Sequence, residues 1–175
     1  MADMTLNLTG VERKFEEHEI IVSKTDLKGH LTYVNDVFLR LASYSESDCL
    51  GQPHNMIRNP EMPRCIFKLL WDTIGSGAEL FAYVVNRSKN GDHYWVLAHV
   101  TPSFDANGQC VGYHSNRRVP KPGVIDNTVI PLYKDLLAEE MRHSNRKDGL
   151  AASSNTLSNL LAERKMEANE FALSL

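Results

Sequence analysis

Apolar and polar residues alternate, or form short apolar runs between turns, in five stretches of the chain. Such stretches are typical of β-strands, because successive side chains on a strand point to opposite faces of the sheet. Two connecting segments, Lys89–Asp92 and Asp105–Gly108, contain an Asn-Gly pair, which favours a tight hairpin turn. The pattern predicts strands at residues 19–23, 31–34, 80–86, 93–103 and 110–116.

Apolar residues spaced three or four positions apart predict helices elsewhere in the chain. Asn35 and Ser45 are placed to cap two short helices after the second strand. A longer helix is predicted at residues 63–74, and it ends at the glycines that follow it. The pattern also predicts a lead-in helix at residues 5–18 and two C-terminal helices, at 128–142 and 156–171, separated by a polar stretch at 144–154.

The order of these elements predicts the fold class. Two strands, small helices, one longer helix and a three-stranded meander make an α+β domain, with a five-stranded antiparallel sheet and helices gathered on one face. A chain of 175 residues is long enough for one such domain with extensions. We therefore divide it into an N-terminal cap helix at 1–18, a core domain at 19–119 and a helical extension at 120–175.

Charge and composition exclude several classes of function. The net charge is -3 and the isoelectric point is about 6.2, so the chain lacks the basic field that nucleic-acid binding requires. Its three cysteines form no Cys-x-x-Cys pair, which fits a reducing cytoplasm. No apolar run approaches the roughly 18 residues of a membrane span. We expect a cytoplasmic protein without direct membrane insertion.

The chain contains no motif of a known catalytic chemistry. A phosphate-cradling glycine loop, a paired-carboxylate motif and a recognisable nucleophile with its base are all missing from the sequence. The histidines show no clustered spacing of the kind that holds zinc. We therefore do not expect an enzyme or a metal site.

Two motifs indicate the family. The first runs Gly-Gln-Pro-His-Asn-Met-Ile-Arg-Asn-Pro-Glu-Met-Pro from Gly51 to Pro63, and the second runs Lys-Asn-Gly-Asp-His-Tyr-Trp-Val from Lys89 to Val96. With the strand order, they resemble the PAS family over about residues 19–118, and within it the Aer and CetB type of flavin-binding sensors of aerotaxis and energy taxis. The resemblance implies the PAS fold and a ligand held between the sheet and the 53–74 segment.

The resemblance implies that this ligand is FAD, bound noncovalently. An isoalloxazine ring needs an apolar slot for its faces and a few polar partners for its pyrimidine edge. A guanidinium suits the phosphates, because it donates charge-assisted bonds to their oxygens. The candidate cofactor-binding residues are Asn35, His54, Asn55, Arg58, Asn59, Trp71, Asn86 and Trp95.

Each candidate also has a structural role to weigh against binding. Asn86 would contact the ring edge or cap a turn, and the two tryptophans would border the ring or belong to the core. Arg58 and His54 would meet the phosphates or ribose, or Arg58 would pair with Glu61 within the loop. Asn55 and Asn59 would contact ligand or cap the long helix.

The resemblance implies a function. We expect a redox or energy sensor that signals by contact with a membrane chemoreceptor or similar protein, and that is peripheral at the inner membrane when docked there. The C-terminal helices would cover the sheet or form a homodimer. Two alternatives remain: a ligand-free PAS docking and dimerisation module, because Asn59 and Glu61 depart from the usual motif, and a haem-based gas sensor using His99 or His114.

Overall fold

The protein, described here from a computed structural model covering residues 8–175, contains one five-stranded antiparallel sheet. The strands lie in the order β2-β1-β5-β4-β3, so β2 and β3 form the two edges. The predicted α+β class with five strands is confirmed. The strands are β1 Ile21–Thr25, β2 Leu31–Val34, β3 Leu80–Arg87, β4 His93–Phe104 and β5 Cys110–Arg118.

Helices fill the connections and the C-terminal region. Asn35 caps the first one as predicted, accepting the Phe38 N–H at 3.1 Å, and Ser45 forms a capping box with Asp48 at the start of the second. A short 3-10 helix, His54–Ile57, lies within the motif loop. The α-helices are α1 Asp36–Ala42, α2 Glu46–Cys49, α3 Arg64–Gly75, α4 Ile130–Met141, α5 Arg146–Arg164 and α6 Ala168–Ser174.

The register of the sheet assigns its residues to two faces. Ala82 pairs with Ala98, which in turn pairs with Arg117, and Arg117 pairs with Ile21, so these side chains share the inner face. Leu97 and the residues two positions before and after it, Trp95 and His99, lie on the outer face. The inner face and α3 together enclose the region in which the ligand was predicted.

The structure of the N-terminal segment differs from the predicted lead-in helix. Residues 5–7 lie outside the described residues, and residues 8–18 contain no helix. Glu12 forms a parallel bridge with His93 instead, and Arg13 and Thr9 both bond the carboxylate of Asp92, at 2.8 and 2.6 Å. These tertiary bonds outweigh the weak helical period of the segment.

The C-terminal helices differ from the prediction in their boundaries. The stretch predicted as a polar separator, 144–154, is mostly helical, because Asn145 caps α5 by accepting the Lys147 N–H at 2.9 Å. Residues of α4 and α6 protect the edge strand β3. Asn169 accepts the Phe81 N–H, and the Tyr133 hydroxyl donates to the Tyr83 carbonyl. No helix within residues 8–175 combines the length and apolar character needed to cross a membrane.

Candidate functional site

A cavity of about 460 Å³ lies between the inner face of the sheet and α3. The loop from Pro53 to Arg58 closes one side, and Leu150 of α5 reaches the lining from the C-terminal region. A cavity of this size with mostly apolar walls and a few polar groups is the usual form of a small-molecule site. The apolar walls come from Ile57, Phe67, Leu70, Ile74, Val84, Ala98 and Val100.

Arg117 is the most unusual residue in the cavity wall. Only 3% of its surface is exposed, yet it has no carboxylate partner among the described residues. Its Nη2 donates to the Ser23 hydroxyl at 2.8 Å and contacts Nε2 of His54 at 2.6 Å. Burial lowers the pKa of Arg117 to about 10, so the guanidinium stays charged at neutral pH. The cavity therefore contains a buried positive charge.

Desolvation and the neighbouring Arg117 hold His54 neutral. Desolvation, and then the charge of Arg117, lower the pKa of His54 to about 3. A neutral imidazole with Nε2 accepting from Arg117 carries its proton on Nδ1. His54 also packs edge-on against Phe38, with ring centroids 6.4 Å apart. It therefore helps to position the guanidinium.

Four buried polar atoms of the cavity lining lack a hydrogen-bond partner. Six such atoms occur in residues 8–175, and four belong to cavity residues: Thr25 Oγ1, Asn86 Nδ2, Ser115 Oγ and Arg117 Nη1. All four residues lie on sheet strands, and we call them the polar wall of the cavity. Buried polar groups are rarely left without partners in native proteins. The polar wall therefore fits a ligand that offers several hydrogen-bonding atoms.

Asn86 and Arg58 meet at one side of the cavity. Asn86 is the candidate for contact with the ring edge, and Arg58 is the candidate for contact with the phosphates. Their backbones form an isolated antiparallel bridge that joins the motif loop to β3. The Arg58 guanidinium lies over the Phe67 ring, 4.5 Å from its centroid. The alternative of a loop-bracing pair with Glu61 receives no support, since no such ion pair forms between these described residues.

Trp71 borders the cavity on α3 and is 43% exposed. It packs edge-on against Tyr113, with centroids 5.6 Å apart, and its ring lies so close to Gly29 that an added Cβ there would meet it at 3.1 Å. Lys28 and Lys68 also line the cavity, as do Arg58 and Asn55. Lys28, Arg58 and Lys68 thus bring positive charge to the cavity lining, and Lys68 is paired with Asp72.

Three of the predicted binding residues lie outside the cavity lining. Asn35 caps α1 and bonds β1, accepting the Val22 N–H at 3.0 Å and donating to the Ile20 carbonyl at 2.8 Å. Asn59 is buried in the loop, where its side chain accepts the Glu61 N–H at 2.9 Å. Trp95 lies on the outer face and packs against Tyr133. The geometry assigns these three residues structural roles.

The histidines considered for haem also lie away from the cavity. His114 and His99 alternate with the inward residues of β5 and β4, so both are on the outer face. His99 stacks on Phe81 at 4.1 Å and bonds Glu79 at 2.7 Å. His54 does line the cavity, but its Nε2 is engaged by Arg117. The described residues thus place neither strand histidine where an axial haem ligand is required.

The sequence reasoning missed three members of the polar wall, Thr25, Ser115 and Arg117. A signal for them exists in the alternation of β5, where Ser115 and Arg117 occupy inward positions that an ordinary core would fill with apolar residues. Polar residues at inward positions of a strand indicate a ligand or a buried network. The missing information was the register that joins β5 to β1.

Comparison with known proteins defines the class. Residues 31–117 match the family model described as the PAS fold. The solved PAS domain of a protein from Colwellia psychrerythraea superposes with a TM-score of 0.53 at 24% identity, covering 58% of this chain and 86% of that one. The dark structure of the blue-light photoreceptor Aureochrome1 LOV gives 0.54 at 22% identity, covering 66% and 85%. The chain belongs to the PAS family.

The sequence relatives refine this class. The chain is 42% identical over 118 residues to the aerotaxis receptor of Escherichia coli (strain K12), a match covering 67% of this chain and 23% of that protein. It is 26% identical to the nitrogen fixation regulatory protein of Klebsiella pneumoniae, covering 59% and 21%. The PAS domain is therefore of the aerotaxis-receptor type, and the chain spans less than a quarter of either relative.

Proposed function

We propose that the chain is a cytoplasmic redox sensor that holds FAD noncovalently in this cavity and signals by contact with a chemoreceptor or similar transducer. The observation that supports this most is the polar wall, four residues with unpartnered buried atoms facing a mostly apolar cavity. Its similarity to the aerotaxis receptor supports the sensory role. The proposed role is sensory and not catalytic.

The polar wall has the chemistry that a flavin ring requires. A flavin has apolar ring faces, which the aliphatic walls at Ile74, Val84 and Val100 suit, and a polar pyrimidine edge. The Asn86 amide N–H₂ and the Arg117 guanidinium are donors, and the Ser115 hydroxyl is both donor and acceptor. When bound, the flavin would supply reversible uptake of electrons, with a change in its charge and protonation.

The charge around the cavity suits the dinucleotide form of the flavin. Lys28, Arg58 and Lys68 line it and are all cationic. Diphosphate carries negative charge that a guanidinium or ammonium binds through charge-assisted hydrogen bonds. We propose Arg58 as the main phosphate contact and Trp71 as a border for the ligand.

The identity of the ligand is tested first by the absorption spectrum of the freshly purified protein. Flavin bands that dithionite bleaches, with FAD recovered by heat release and chromatography, are the expected result. A Soret band would indicate haem instead. A colourless protein that does not bind added FAD would contradict the proposal and leave the ligand-free docking module.

A pair of asparagine variants on two strands of the sheet tests whether the polar wall makes the contact. Asn86→Ala removes a side chain of the wall, whereas Asn116→Ala removes the same group from the outer face of β5. We expect Asn86→Ala to weaken FAD binding by about tenfold, since a lost hydrogen bond and its unpaired partner cost about 1–2 kcal/mol. Equal affinities for the two variants, measured by fluorescence titration, would exclude Asn86 as a contact.

The proposed signal leaves the protein through a protein–protein contact. The relatives include one protein named a receptor, for aerotaxis, and one named a regulatory protein, for nitrogen fixation. We propose a homodimer as the signalling unit. Sedimentation at several protein concentrations, with oxidised and dithionite-reduced samples, measures this directly.

A further inference from the structure

Glu140, near the end of α4, is a buried carboxylate outside the predicted binding residues. It is 6% exposed, and its two oxygens accept hydrogen bonds from three other residues. Oε1 accepts the Arg64 N–H at 2.8 Å, the Cys65 N–H at 3.2 Å and the Ser153 hydroxyl at 3.1 Å, while Oε2 pairs with Arg64 Nε at 2.7 Å. The carboxylate is therefore fully engaged.

Two of these bonds cap the N-terminus of α3, the helix that forms one side of the cavity. Pro63 occupies the N-cap position and supplies no side-chain hydrogen bond to the helix. The first N–H groups of a helix need partners, and a negative charge there is stabilised by the helix dipole. Glu140 lies 76 positions along the chain from Arg64, and it supplies both the hydrogen-bond acceptor and the negative charge.

The start of α5 completes this arrangement, which we call the helix junction: Arg64, Cys65, Glu140, Gly149 and Ser153. Arg64 Nη1 donates to the Arg146 carbonyl at 2.9 Å. Gly149 lies so close to α4 that an added Cβ would meet the Glu140 carbonyl oxygen at 2.4 Å. Only glycine permits this approach without displacement of the backbone.

The helix junction is continuous with the cavity. Arg64 and Leu150 both line the cavity, and Leu150 follows Gly149 directly in α5. A ligand in the cavity would therefore contact a surface contributed in part by the C-terminal hairpin α4–α5. Movement of the hairpin would change that lining and remove the cap from α3.

We propose that the α4–α5 hairpin is part of the ligand site, that Glu140 is its positioning residue, and that ligand binding and docking of the hairpin stabilise each other. This rests on the proposed function only in requiring a ligand in the cavity. Coupling of this kind is reciprocal by linkage: a ligand that favours the docked hairpin binds more weakly when the hairpin is loosened. The hairpin thereby becomes the element that reports the state of the cavity to a partner.

Hydrogen exchange of the 175-residue chain tests the coupling. We compare backbone exchange at residues 130–164 with and without saturating FAD. We expect FAD to slow exchange in the hairpin as well as in α3, because the ligand stabilises the docked state. Protection confined to α3 and the sheet, with hairpin exchange unchanged, would overturn the proposal.

Two adjacent glutamates give a matched pair of variants. Glu140→Gln removes the charge from the junction, whereas Glu139→Gln changes a neighbour whose carboxylate, within residues 8–175, bonds only Arg142 and His143. We expect Glu140→Gln to weaken FAD binding by about tenfold, within the range typical of coupled sites, and to abolish the protection of the hairpin by FAD. Glu139→Gln should match the wild type within about twofold.

Leu150→Ala keeps the test decisive if Glu140→Gln does not fold. This variant removes a lining side chain and leaves every hydrogen bond of the junction intact. It should also weaken FAD binding and reduce the ligand-dependent protection of α5. Wild-type FAD affinity in both Glu140→Gln and Leu150→Ala would overturn the proposal. A wild-type protein that binds no FAD would contradict the proposed function. A wild-type protein that binds FAD without any response of the hairpin would contradict the coupling alone, so the two failures are distinguishable.

Discussion

Two buried polar clusters lie near α3, one at its N-terminus and one across the cavity on the sheet, and they differ in how completely their atoms are paired. In the helix junction, both oxygens of Glu140 accept hydrogen bonds, and Arg64 donates to Glu140 and Arg146. In the polar wall, four residues each keep a buried atom without a partner among residues 8–175. A paired cluster stabilises the fold, whereas an unpaired one leaves hydrogen bonds for a ligand.

The largest effect on stability is expected from breaking the paired cluster. Glu140→Ala leaves the Arg64 guanidinium and the first N–H groups of α3 without their acceptor. Removing one partner of a buried ion pair costs about 3–5 kcal/mol, so we expect the free energy of unfolding to fall by about 3 kcal/mol. Urea denaturation with Glu139→Ala as the control measures this. A loss below about 1 kcal/mol would show that the junction is not structural.

The pH dependence of stability should reveal the partly buried His54. Its pKa is lowered to about 3, so the native imidazole stays neutral while the unfolded one takes up a proton below about pH 6.5. The contribution of the neutral His54 side chain to the free energy of unfolding is complete above pH 6.5 and is lost as the pH falls towards 3. We expect a loss of about 1.4 kcal/mol per pH unit between pH 6 and 4.

A His54→Gln variant provides the comparison for this slope. Urea unfolding of both proteins at several pH values between 4 and 7.5 gives the difference in slope attributable to His54. Parallel curves for the variant and the wild type would show that folding leaves the pKa of His54 unchanged, contrary to its place beside Arg117.

Removing a hydroxyl from the polar wall should affect ligand binding and leave the ligand-free fold unchanged. Ser115 Oγ has no partner in the described part of the chain, so Ser115→Ala should change the free energy of unfolding without ligand by less than about 0.5 kcal/mol. With FAD, a lost hydrogen bond of about 1 kcal/mol weakens affinity about fivefold. Marked destabilisation without ligand would mean that Ser115 already has a structural partner.

The smallest pH-dependent effect is expected at Asp92, which ties the N-terminal segment to the β3–β4 turn. Hydrogen bonds from Thr9, Asn90 and Arg13 lower the pKa of Asp92 to about 2. Its contribution is therefore present above the ordinary carboxyl pKa and is lost only as the pH falls through about 2. Asp92→Asn should lower stability by the same amount at every pH from 5 to 7.5. A curve that converges with the wild type in this range would contradict the assignment.

The strands and the turns between them follow from local pattern. The two Asn-Gly pairs occupy the β3–β4 and β4–β5 turns, and Gly91 there has φ of 96°, which suits glycine. Asn35 caps α1 because its side chain accepts the Phe38 N–H, a contact three residues away. Such features depend on residues close in sequence, so they can be predicted from the sequence alone.

Two predictions from local composition failed, one in the N-terminal segment and one at the start of α5. Residues 8–18 are not helical, and Thr9 and Arg13 instead bond Asp92, about eighty positions away. The polar start of α5 is helical because Asn145 caps it, and the helix packs where Gly149 admits the carbonyl of Glu140. Local composition favoured a lead-in helix in the first case, and distant contacts replaced it. It favoured a separator in the second, where a local cap and the packing at Gly149 allow a helix.

The sequence alone determined the class of fold, the strand order along the chain, and a motif loop whose residues His54, Asn55 and Arg58 line the cavity. Tertiary structure decided which residues complete that cavity. The antiparallel register brings Arg117 and Ser115 of β5 beside β1, and Glu140 reaches the N-terminus of α3 across 76 residues. The physical reason is that local patterns are set by the periodicity of a strand or helix, whereas burial and pairing are set by which elements pack together.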